Sequence, residues 1–204
     1  MKALRSFILI SALAVSASAA SAQTQVTLTS AGSVTAFGYY VGKYQGQLPT
    51  QPGAPAIDLF CVDFLHHVTV GQTWTANFTS LTGGDLSNTR LNSLVFYQKA
   101  AWLTAQYGSA PTSQWGDIQA TIWQITNPGA GPAPSSSYWL DLVNAQYTSF
   151  DYSRYVIVTD VNRLDANSAQ EFITTTPEPA ELLLMGTGLL TIVLAGGFAQ
   201  RRIV

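Results

Sequence analysis

Three observations in the sequence predict an exported α+β protein, a β-sandwich or barrel carrying a helical insert. Short stretches that alternate apolar and polar residues begin and end the body, the middle of the chain changes to a helical period, and an apolar targeting segment stands at each terminus. Residues 1–22 have the form of a secretory signal peptide. Lys2 and Arg5 supply the positive start, residues 7–15 the apolar core, and Ala20-Ser21-Ala22 a small-x-small site for signal peptidase. That apolar core is too short to span a membrane comfortably, which favours cleavage over an anchor. The exported body is then residues 23–175, an ordinary size for one domain.

Within the body, residues 25–29 and 34–37 alternate as strands do, and Tyr39-Tyr40-Val41 carries β-forming side chains before Gly42. Three prolines make residues 47–56 a loop, because proline cannot donate to a strand ladder. Residues 57–64 and 68–78 read as paired core strands. After Gly83-Gly84 the period changes: with Asn88 as a candidate cap, Leu91, Leu94, Val95, Trp102 and Ala105 fall on one helical face that ends near Gly108 and Pro111. A second helix is predicted over 113–126, with Trp115, Ile118, Ile122 and Ile125 as its stripe, stopped by Asn127-Pro128-Gly129. A third covers about 137–147, and strands return at 155–158 and 171–174.

The last residues form a second targeting element. Pro177-Glu178-Pro179 precedes an apolar run, about 182–199, which is followed by Arg201 and Arg202. About 18 apolar or small residues are the minimum for a spanning helix, and paired arginines hold a helix end on the cytoplasmic side. The three-part tail, residues 176–204, resembles the PEP-CTERM sorting signal of Gram-negative bacteria. That resemblance implies an exosortase that cuts at the Pro-Glu-Pro motif, with passage through the inner membrane and delivery to the cell surface or extracellular matrix, often alongside exopolysaccharide in biofilms. The bland alternative is a C-terminal anchor that is never processed.

Composition restricts the chemistry. Charged residues make up 10% of the chain and the net charge is -2, so no basic face exists to neutralise phosphates and nucleic acid is excluded as a partner. No cofactor motif is present. His66 and His67 are the only histidines; neighbours on a strand point to opposite faces and cannot clasp one metal. Asp58 and Asp63 on the same run are a candidate acid pair, but solvated or turn-bonded carboxylates are the simpler account. A secreted cysteine hydrolase built from Cys61 with His66 or His67 lacks any marked oxyanion hole or orienting group. Exposed aromatics such as Tyr39, Tyr40, Tyr44 and Tyr138 suit a noncovalent exopolysaccharide-binding module.

The chain has one cysteine, Cys61. A free thiol outside the cytoplasm is prone to oxidation, so it is either buried and inert or it has a use. Gln119, on the second predicted helix, lies between Trp115 and Trp123 at i-4 and i+4, which carries its amide toward the apolar face. Phe60-Cys61-Val62-Asp63 and Ile118-Gln119-Ala120-Thr121-Ile122-Trp123 resemble the paired motifs of the thioester domains on bacterial surface adhesins. The resemblance implies a bond between the Cys61 sulfur and the Gln119 side-chain carbonyl, an internal electrophile that captures a surface amine or another nucleophile. The expected protein adheres and does not turn over substrate. Buried inert cysteine remains the alternative.

Overall fold

A computed structural model of the chain describes residues 23–48 and 56–176. The predicted signal peptide, the sorting motif Pro177-Glu178-Pro179, the apolar run 182–199, and Arg201 and Arg202 all lie outside the described residues. Among the described residues no helix is long and apolar enough to cross a membrane.

Six strands close into an antiparallel barrel: β1 (Thr24–Ser30), β4 (Lys43–Gln47), β5 (Ile57–Cys61), β8 (Phe172–Thr175), β7 (Tyr155–Asp160) and β6 (Thr73–Ser80), in that order around the wall and back to β1. Closure removes the exposed edges that an open sheet of short strands would carry. Two further strands, β2 (Thr35–Ala36) and β3 (Tyr39–Tyr40), form a separate hairpin. Its two-residue turn is Phe37-Gly38, with φ of 55° and 82°, the double positive φ that matches the twist of a tight hairpin.

Alternation along the barrel strands separates two cores. Val26, Leu28, Tyr44, Leu59, Cys61, Trp74, Ala76, Val158 and Phe172 fill the interior. Outward residues of the same strands, Phe60, Ile157 and Ile173, pack beneath the helices. The register makes the division plain where β5 ends: Cys61 pairs with Phe172 and Phe60 with Ile173, so the first pair faces in and the second faces the helices. The helical layer is α1 (Leu94–Gln106), α2 (Trp115–Thr126, entered through a 3₁₀ turn at Thr112–Gln114) and α3 (Tyr138–Gln146). Barrel plus three helices is the α+β class expected.

Three expectations need correction, and one strand was not foreseen. Residues 57–64 and 68–78 are not partners: β5 lies between β4 and β8, and β6 between β1 and β7. The strand β4, Lys-Tyr-Gln-Gly-Gln, supplies the missing neighbour; it has no β-branched residue, yet buries Tyr44 and Gly46 alternately with polar residues. The first helix does not start near Asn88. The backbone N–H groups of Arg90, Leu91 and Asn92 are used by Glu171, the Tyr97 hydroxyl and the Thr89 hydroxyl, which holds this stretch as a turn. Its buried face therefore centres on Tyr97, Ala100, Ala101, Trp102, Leu103 and Thr104, while Val95 is 44% exposed.

Glu171 joins barrel and helices. Its carboxyl accepts from the Arg90 backbone, the Thr159 hydroxyl of β7 and the Tyr97 hydroxyl of α1. Burial pushes this carboxyl above its ordinary value of 4.5, and the three donors only partly oppose that rise. A folded-state pKa raised in this way contributes stability below the unfolded value and loses it as pH rises. Wild-type protein should therefore lose thermal stability relative to Glu171→Gln as pH climbs from about 4.5 toward neutrality. Parallel melting curves for the two proteins across that range would overturn the assignment.

Candidate functional site

The site forms where α2 closes one end of the barrel. Trp115, Gln119 and Trp123 succeed one another at four-residue spacing, so one stripe of the helix faces the end of β5. Trp123 belongs to the barrel-interior core, whereas Ile118 and Ile122 belong to the helical one. Gln119 is fully buried between these cores.

A buried amide must spend its donors and acceptor, and Gln119 does so on two chosen partners. Its Nε2 donates to the Cys61 carbonyl at 2.8 Å, and its Oε1 accepts from the Tyr107 hydroxyl at 3.0 Å. Cys61 and Gln119, 58 positions apart in the sequence, are thus brought together. The Cys61 thiol, 3% exposed, donates to the Asp63 carbonyl at 3.3 Å. Burial pushes that thiol up to about 12, against the influence of the Trp123 indole N–H beside it and the Asp63 backbone. The indole N–H is buried without a well-formed hydrogen bond, so it stands free to meet negative charge on sulfur. Burial likewise pushes the Tyr107 phenol far up, which keeps it a neutral donor to the amide oxygen.

Aromatic side chains cover the site. Tyr39 of the hairpin meets Phe64 at 5.1 Å and Trp123 at 5.8 Å between ring centroids, and Phe64 meets Trp123 at 5.0 Å, all edge to face. The Phe64 N–H donates to Asn127 at the end of α2, fixing the turn after β5. Two glycines let the cover seat. A Cβ at Gly116 would stand 2.7 Å from that of Ala36, and one at Gly42, where φ is +90°, would stand 2.4 Å from the Trp115 ring.

The remaining candidates fall elsewhere. His66 and His67 follow β5 in a loop, not on a strand, so the expectation of opposite strand faces does not apply. His66 Nδ1 is 2.7 Å from Asp63 Oδ2, and its Nε2 is 3.3 Å from Arg90 Nη1; since arginine only donates, the imidazole proton sits on Nδ1. Arg90 Nε lies 2.9 Å from the same Asp63 oxygen, a coulombic pairing without good hydrogen-bond alignment. The thiol is turned to Asp63 and His66 is engaged by Asp63 and Arg90, so Cys61 and His66 are not hydrogen-bonded to each other as a hydrolase pair would be. Asp58 and Asp63 are no acid pair: Asp58 faces outward against Lys43 at 2.8 Å, and Asp63 is buried in the His66–Arg90 cluster. Tyr44 is 8% exposed inside the barrel with its hydroxyl on the Tyr40 carbonyl, so it leaves the set of surface aromatics; Tyr39, Tyr40 and Tyr138 stay exposed. Sequence reasoning missed Tyr107, whose place one residue beyond α1 gives no periodic signal.

Tyr107→Phe tests the amide anchor. The ring and its stack on Phe60 remain, at 5.5 Å and 8°, while the Gln119 carbonyl loses its donor. An unsatisfied buried acceptor costs about 1 to 3 kcal/mol. Urea denaturation should show a loss in that range with the fold retained; an unchanged midpoint would mean that water replaces the phenol.

No protein-family model and no curated protein matches the chain. Among solved structures it is similar to the N-terminal thioester domain of a surface protein from Clostridium perfringens, at 9% identity and a TM-score of 0.44, over 76% of this chain and 99% of that one.

Proposed function

We propose that the body is an adhesive module in which Cys61 and Gln119 join as an internal thioester and later transfer the Gln119 acyl group to a nucleophile on a surface. One observation carries this reading: the fully buried Gln119 amide is held against the residue that bears the chain's one thiol, with a neutral hydroxyl on its oxygen.

In the forming step the Cys61 sulfur bonds to the Gln119 amide carbon and the C–N bond breaks. Negative charge passing through Oε1 meets the Tyr107 hydroxyl, the role of an oxyanion donor. The thiol proton ends on the departing nitrogen, which leaves as ammonia. With the thiol near 12, thiolate at neutral pH is on the order of one part in 10⁵. Effective molarities of about 10⁵ to 10⁸ M for well-oriented intramolecular groups offset that scarcity, and the reaction need occur only once per molecule. In the capturing step a primary amine bonds to the same carbon, the C–S bond breaks, and the amine proton restores the thiol.

Mass measurement of the intact protein tests this. The molecule should be lighter than its mature sequence by one ammonia, and Cys61 should stay silent to thiol reagents after unfolding until hydroxylamine or methylamine opens the bond. Cys61→Ala and Gln119→Ala should each restore full mutant mass and abolish methylamine incorporation. Gly116→Val, which pushes the hairpin off α2, should speed methylamine capture several-fold. Wild-type protein of full mass with one thiol titrating on unfolding would return Cys61 to the role of inert core residue.

Export and sorting complete the proposal. Signal peptidase removes residues 1–22, the run 182–199 holds the chain in the inner membrane, and an exosortase acts at Pro177-Glu178-Pro179, releasing the body to the cell surface or matrix. The support is the order of motif, apolar run and arginines in the sequence. Protein recovered outside the cell should lack Arg201 and Arg202, and alanines at 177–179 should leave it in the inner membrane. Exported protein that keeps both arginines makes the tail a plain anchor.

A further inference from the structure

We infer that the cleft on the far side of Tyr107 is a saccharide-binding site. It encloses about 450 Å³ between the outer faces of β4, β5, β7 and β8, the end of α1 and the start of α2. That volume lies in the usual range of about 300 to 1,000 Å³ for small-ligand sites. Four of its walls are aromatic: Phe60, Tyr107, Trp115 and Tyr155.

These rings are held in place before any ligand arrives. Tyr107 stacks on Phe60, meets Trp115 edge-on at 5.3 Å, and is tethered by Gln119. Trp115 donates its indole N–H to the Ala110 carbonyl at 3.2 Å and rests on Gly42. Phe60, Trp115 and Tyr155 are each half-buried, so part of each ring remains for a ligand.

Charge chooses the ligand class. Among the described residues, the charged ones lining the cleft are Lys43 and Asp58, paired at 2.8 Å with side chains 48% and 38% exposed. They cancel. An anion meets the paired carboxylate and a cationic amine meets Lys43, whereas a neutral polyhydroxy compound can donate to Asp58 and accept from Lys43 together. Sugars combine such hydroxyls with apolar C–H faces that lie against aromatic rings. The site differs from the surface tyrosines expected from sequence, and it stands whether or not the thioester forms.

The test is titration of the full chain with glucose, galactose, mannose and N-acetylglucosamine disaccharides, read by tryptophan fluorescence and saturation-transfer NMR. At least one should bind saturably. Gly108 lines the cleft at its open side, where an added Cβ meets nothing nearer than 3.7 Å. Gly108→Trp should therefore fill the cleft without disturbing the core and weaken binding at least tenfold. Asp58→Asn and Lys43→Met should each weaken it roughly tenfold, as the loss of a hydrogen bond to a charged group does. Cys61→Ala should bind as wild type does, which separates this site from covalent capture. Binding of none of the sugars, binding untouched by Gly108→Trp, binding lost in Cys61→Ala, or preferential binding of lysine methyl ester would each overturn the inference.

Discussion

The hydrogen bond from the Gln119 amide to the Cys61 carbonyl is the constraint on which the functional end depends. It ties α2 to the last residue of β5 from inside a buried seam between the two cores, where an unpaired amide would cost more than the bond itself contributes. This asymmetry makes the contact a register pin. Were α2 to rotate or slide by one residue, Gln119 would lose both partners and Trp123 would leave the barrel mouth. Placement of Trp115 on Gly42 and of Ala36 on Gly116 follows from the same register, so the hairpin cover is positioned by the amide as well.

A second pin lies at the start of α1, and it is ionic. Arg90 draws together Asp63, the Arg163 and Ala169 carbonyls and the Ser168 hydroxyl, while its own backbone N–H feeds Glu171. Asp63 is the link between the pins, because its carbonyl receives the Cys61 thiol and its carboxylate receives His66 and Arg90. Buried ion pairs stabilise little in net terms, but removing one partner leaves a charge stranded. The loop after β5 is therefore held more by the cost of misplacing it than by favourable contacts, and Cys61 inherits that rigidity.

What could be read in the sequence follows how local each cause is. The position of α2 was legible because Asn127-Pro128 stops it, and Trp115 and Trp123, eight residues apart on one face, exposed Gln119 midway between them. Strand β4 was not, since Lys-Tyr-Gln-Gly-Gln acquires strand character only between β1 and β5, where Gly46 accommodates Leu59. The strand partners of β5 and β6 depend on barrel closure, a non-local fact. The late start of α1 arises from Glu171, 81 residues away from Arg90, and no window of sequence contains that bond. Tyr107 is the same kind of case: its meaning is set by Gln119 and Phe60, not by its neighbours.

Burial has opposite consequences for making and using a thioester, and the hairpin is where the two are reconciled. The enclosure that raises the Cys61 thiol to about 12 also excludes the water that would hydrolyse an acyl–sulfur bond. A nucleophile meets the same barrier, so the proposed capture requires the cover to move. The barrel resists such movement, because each of its six strands is paired on both sides. The hairpin can move: it is joined by two residue pairs, turns on Phe37 in a left-handed conformation, and leaves Phe37 and Tyr40 half exposed. Its hold on the rest of the body is Tyr39 against Phe64 and Trp123, Ala36 against Gly116, and one side-chain hydrogen bond, from the Tyr44 hydroxyl to the Tyr40 carbonyl. In the proposed capture, a partner surface that packs on Phe37 and Tyr40 would offset the loss of those contacts, which ties opening to contact with that partner.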